Sequence, residues 1–149
     1  MMHAVKAQTK IIDSLRKNVY QAVNEKNKLT ALLDLCEEQL SMRADSLQQY
    51  ALAAKQLSIK LKDTIALKEA QYQFATSLWR QVLNDSAQQI IDKELLHNPV
   101  QVKATRAMNF KLRVLGIRLY TTNGMLKEAT SAIYQLLADA EKYNDTLNR

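Results

Sequence analysis

The sequence predicts an all-α protein, either an elongated antiparallel coiled-coil hairpin or a three-helix bundle with long helices. Three observations carry this. The 149 residues include only two glycines, Gly116 and Gly124, and one proline, Pro99, whereas β-rich folds of this length need many turns with special backbone angles. Apolar residues recur at alternating three- and four-residue spacing over most of the chain. Hydrophobic residues at 47% and charged residues at 24% are typical of a folded chain, neither disordered nor membranous.

The first seam contains Val5, Ile12, Leu15, Val19, Ala22, Leu29, Leu33, Cys36, Leu40, Leu47, Tyr50, Ala54, Leu57 and Leu61. Gln8, Lys26 and Arg43 interrupt it. A four-residue jump to Ile65 reads as a stutter, after which Tyr72, Ala75, Trp79 and Val82 continue the pattern. Phase continuity and the lack of breakers favour one helix over 4–83, a rod of roughly 120 Å. The competing reading turns the chain near Ser41–Ser46, with Asp45 and Ser46 as caps and Arg43 marking the bend.

Asn84-Asp85-Ser86 then offers capping side chains, with Gln89 completing a capping box. A connector helix over 86–97 follows. His97-Asn98-Pro99 ends it, since the residue before a proline is pushed out of the α region, and His97 suits a helix C-terminus. Pro99 opens a long helix over 99–147, capped by Asn98. Its seam runs through Met108, Leu112, Leu115, Leu119, Thr122, Leu126, Ala129, Ile133, Leu136, Ala140, Tyr143 and Leu147. A break at Thr121–Gly124 is the competing reading. The length prior makes residues 1–149 a single helical domain.

Charge is uneven along the chain. Lys103, Arg106, Lys111, Arg113, Arg118 and Lys127 form a basic stretch over 99–127 with no acidic residue, equal to the whole net charge of +6. Such a stretch suits nucleic-acid phosphates, an anionic membrane surface, an acidic protein, or a solvated rim. Phe110, Val114, Ile117 and Tyr120 add a second apolar stripe, and Tyr72, Phe74 and Trp79 form an aromatic cluster. Both sets are candidate partner-binding residues, with burial inside a bundle as the alternative.

Residues for chemistry are scarce. His3 and His97 are the only histidines, and the single cysteine, Cys36, falls on the seam as a small buried hydrophobe. No ligand cluster suits a metal, and two glycines make no phosphate loop. One cysteine forms no intrachain disulfide, which favours a reducing compartment. The N-terminus lacks an apolar signal core, and no apolar run is long enough to span a membrane. The expected location is cytoplasmic or nuclear.

In format the chain resembles small coiled-coil hairpins, such as flagellar and type III secretion stalk proteins and small subunits of eukaryotic tethering, spindle or kinetochore complexes. The resemblance is one of architecture and carries over no residue. A rod longer than the C-terminal helix leaves seam uncovered, which implies a homodimer or a hetero-complex subunit. The expected function is that of a non-catalytic adaptor or scaffold subunit, pairing its helices with other helical proteins or with itself. No enzymatic activity, cofactor, metal or small-molecule substrate is expected. Two alternatives stay open: nucleic-acid binding by the basic 99–127 face, and a helical dimer on anionic membrane surfaces.

Overall fold

The structure, a computed structural model, describes residues 2–97 and 103–147. Every regular element among them is helical. The helices are α1 (Met2–Gln21), α2 (Glu25–Glu37), α3 (Ala44–Leu61), α4 (Thr64–Arg80), α5 (Asn84–His97), α6 (Arg106–Thr122) and α7 (Leu126–Leu147), with 3-10 turns at Gln39–Ser41 and Lys103–Thr105. The all-α class therefore holds. The long helices do not: none of the seven exceeds 22 residues. The expected rod over 4–83 is four helices, and the expected helix over 99–147 is divided by a turn at Asn123–Met125. The connector expected over 86–97 is α5, two residues longer at its start. Pro99 and the side chain of His97 lie outside the described residues.

Short helices arise because the chain caps itself repeatedly. Asn24 accepts the Asn27 amide at 2.8 Å to start α2, and Asp63 accepts the Ala66 amide at 2.9 Å to start α4. Each cap satisfies an amide that the first helical turn leaves without a partner. Arg43 precedes α3, and its guanidinium grips both carboxylate oxygens of Asp45 at 3.1 and 2.9 Å. Asp45 also accepts the Ser46 amide. These contacts, with the Arg43 hydrogen bond first, hold the Asp45 carboxyl below its ordinary range.

Three helix ends share one backbone plan. The amides of Lys62 and Asp63 donate to the carbonyls of Ile59 and Ser58; Val82 and Leu83 donate to Trp79 and Leu78; Gly124 and Met125 donate to Thr121 and Tyr120. Each is a Schellman closure, with a left-handed residue just past the helix. The left-handed residues are Lys62, Val82 and Gly124, at φ 56°, 64° and 74°. The next helix starts the same way each time, with Leu67, Ala87 and Ala129 bonded to the carbonyls of Asp63, Leu83 and Met125. The apparent stutter between Leu61 and Ile65 is the first of these closures. It ends the helix rather than unwinding it.

The chain forms two compact units, Met1–Ala87 and Gln88–Arg149. In the first, α1 packs on α2, α2 on α3 and α3 on α4, with α2 also reaching α4. Short connections make these neighbours antiparallel. One core cluster joins Ile12, Leu35, Cys36, Met42, Leu47 and Ala51; another joins Leu29, Leu32, Leu33, Ala54, Ala66 and Ala70. Most of the seam is thus buried or half-buried, but against neighbouring short helices rather than a partner rod. Leu40 falls in the α2–α3 connection and is exposed.

Polar bonds tie the corners of this unit. Arg80, at the end of α4, donates to the backbone carbonyls of Gln39 and, at 2.8 Å, Met42. Gln73 donates to Glu37 at 3.3 Å and Gln81 to Gln48 at 2.9 Å, while Lys60 pairs with Glu25. In the second unit α6 packs on α7 and on the turn at Lys103–Thr105. Leu112, Leu115, Leu119 and Ala129 are buried.

Candidate interaction surfaces

The basic stretch does not form one face. On α6, Arg106 and Arg113 are seven residues apart and share a side, while Lys111 and Arg118 share another. Arg106 lies over the Tyr143 ring at 3.8 Å, a cation–π contact. Arg113 meets Asp139 at 2.7 Å and lies 5.8 Å from the Phe110 ring. Both guanidiniums are therefore spent on holding α7 to α6. Lys103 and Lys127 are exposed, on the 3-10 turn and on α7 respectively.

The second stripe of α6 is only partly open. Phe110, Ile117 and Tyr120 are half-buried, and Val114 is exposed. The aromatic cluster on α4 separates as well. Tyr72 and Trp79 are seven residues apart on one side and half-buried. Phe74 turns the other way into the core around Ile12 and Leu35, with the Lys55 ammonium 5.7 Å from its ring. Neither aromatic set forms a single open patch.

Two surfaces take their form only from the packing of the helices. A groove of about 350 Å³ runs between α2 and α4, with Leu29, Leu33 and Ala66 as its floor and Lys26, Asp34 and Glu69 at its rim. It exists because α2 reaches α4 across the stack, a placement no local pattern reveals. The other surface is the outer side of α7. Leu126, Ile133, Tyr134 and Leu137 are 64%, 42%, 69% and 55% exposed. Their spacings of seven, eight and eleven residues from Leu126 bring them to one side of the helix. The α6-facing side holds buried Ala129 and half-buried Leu136, Ala140 and Tyr143. The two sets adjoin in one wide apolar arc: Leu126 and Ile133 are on the seam the sequence shows, while Tyr134 and Leu137 widen it beyond what α6 covers.

Cys36 sits in the first core cluster. Burial, then the charges of Glu69 and Glu37, push its thiol up to about 12. It is therefore a packing group rather than a nucleophile. Among the described residues no group of three His, Cys, Asp or Glu side chains is placed to hold a metal ion. Among them, too, no helix is long and apolar enough to cross a membrane. Comparison with protein families, curated proteins and solved structures finds no match for this chain.

Proposed function

We propose that the chain is a non-catalytic adaptor or scaffold subunit, acting by helix–helix pairing with other proteins or with itself. The pairing elements are surface helices of short helical hairpins, in place of one long coiled coil. The length mismatch that called for a partner vanishes with the rod, so the reading now rests on α7. The apolar arc of that helix is wide, and α6 covers only part of it. An outward apolar stripe costs solubility and invites aggregation, and such stripes mark protein contacts.

The test is affinity capture of the full chain followed by mass spectrometry, beside a variant carrying Leu126→Glu and Leu137→Glu. Recovery of a defined protein by the wild type and its loss in the variant support the proposal. Absence of any such protein, together with salt-steep binding to nucleic acid that Lys103→Glu and Lys127→Glu abolish, overturns it in favour of the nucleic-acid reading.

A further inference from the structure

We infer that the outer side of α7 is a self-association surface, on which a second copy of this chain docks its own α7 in antiparallel register. The inference deepens the adaptor reading and rests on it for the assignment of α7 as a pairing element. Charge complementarity selects the occupant. Lys127, Tyr134 and Glu141 follow one another at seven-residue intervals and form a single column beside the apolar stripe. All three are exposed. Among the described residues neither Lys127 nor Glu141 has an ion-pair partner.

A two-fold axis through Tyr134 makes this column self-complementary. Antiparallel pairing sets each residue opposite the one whose number completes the same sum, so Lys127 faces Glu141 of the second copy and Glu141 faces its Lys127. The two Tyr134 rings then meet at the axis, flanked by Ile133 and Leu137. A parallel arrangement would oppose lysine to lysine and glutamate to glutamate. Such an isologous contact closes on itself, as two-fold dimers do. Arg113–Asp139 and Arg106–Tyr143 hold the opposite side of the helix to α6, so the stripe can be used without opening the hairpin.

The area sets the strength. With apolar and aromatic side chains of about 150–250 Å² each, the observed exposures leave roughly 400–500 Å² per copy. A pair then buries roughly 800–1,000 Å², below the ~1,200 Å² at which stable interfaces begin and within the range of weak, transient contacts. The dimer is consequently weak and reversible, with a dissociation constant on the order of micromolar.

Sedimentation velocity of the full chain across a concentration series tests this. Wild type should pass from monomer to dimer, and Tyr134→Lys, which sets like charges at the axis, should stay monomeric. Lys127→Glu should weaken association about tenfold, and Lys127→Glu combined with Glu141→Lys should restore it. Circular dichroism shows that each variant keeps its helices. A wild type that stays monomeric throughout overturns the inference, as does a dimer indifferent to charge reversal. If the monomer still captures a defined protein through Leu126 and Leu137, the self-pairing fails while the adaptor reading stands. If the charge swap rescues the dimer but no other protein is captured, self-pairing alone is supported.

Discussion

Val82 occupies a conformation that its side chain opposes. Its φ of 64° lies in the left-handed region, which costs an L-residue about 1–2 kcal/mol, with β-branched residues at the upper end. Gly124 fills the equivalent place in a turn with the same hydrogen bonds, at φ 74°. Val82→Gly removes a strain of about 2 kcal/mol. Against this, glycine adds about 0.5–1 kcal/mol of unfolded-chain entropy. Val82 is 76% exposed, so the lost burial costs about 0.5 kcal/mol. The net expectation is a stabilisation of about 0.5–1 kcal/mol. The reverse exchange, Gly124→Val, takes on the strain and should destabilise the second unit by about 1–1.5 kcal/mol. A Cβ at Gly124 meets nothing within 4 Å, so the backbone angle alone sets that cost. Urea unfolding followed through Trp79, the only tryptophan, measures Val82→Gly in its own unit; far-UV circular dichroism measures Gly124→Val. A rise in melting temperature of about 2–8 °C for Val82→Gly corresponds to the expected gain. If Val82→Gly loses stability at unchanged m-value, or if Gly124→Val is neutral, the shared-turn argument is wrong.

Gly116 behaves oppositely to Gly124, since it sits inside α6, and an added Cβ would lie 3.6 Å from Ile91 Cγ2, an ordinary contact. Gly116→Ala should therefore stabilise by about 0.5–1 kcal/mol in chemical denaturation, and a loss would reveal overpacking against α5. Arg80→Ala removes the charged donor to the Gln39 and Met42 carbonyls and should cost about 1.5–3 kcal/mol in the same assay. Arg80→Lys should recover less than half of that loss, because one ammonium cannot span the two carbonyls as the fork does. For Cys36 the folded thiol is pushed up to about 12 from an ordinary 9. Its contribution is complete below pH 9 and declines as pH rises from about 9 towards 12, by about 1.4 kcal/mol per unit, because the unfolded chain loses the proton first. The stability advantage of wild type over Cys36→Ala should therefore shrink across that window; a constant difference would refute the raised value. Native protein should also resist thiol reagents at neutral pH until it is unfolded.

Much of the burial pattern was legible in the sequence. Ile12, Leu29, Leu33, Cys36, Leu47 and Ala54 were all on the seam and all are buried. Unbroken phase, however, does not require an unbroken helix. Packed helices joined by connections of two to six residues can keep an apolar repeat nearly in step without being one helix. The four-residue jump at Leu61–Ile65 and the caps Asn24 and Asp63 were the local signals of the breaks. The absence of glycine at Lys62 and Val82 hid them, because both turns adopt a glycine-type angle without glycine.

The candidate surfaces divide in the same way. Phe110, Val114 and Ile117 lie on one flank of α6, as their spacing requires. Whether such a flank is open depends on what packs beside it. Arg106 and Arg113 belonged by composition to a basic face, yet pairing with Tyr143 and Asp139 draws both towards α7. Local chemistry determined helicity, the caps and the apolar side of each helix, because propensity, side-chain hydrogen bonding and the 3.6-residue period act within a few residues. Only the tertiary structure decided where the chain reverses, which arginines are spent internally, and how much of the apolar arc of α7 is left facing out. Those outcomes depend on contacts between residues far apart in sequence.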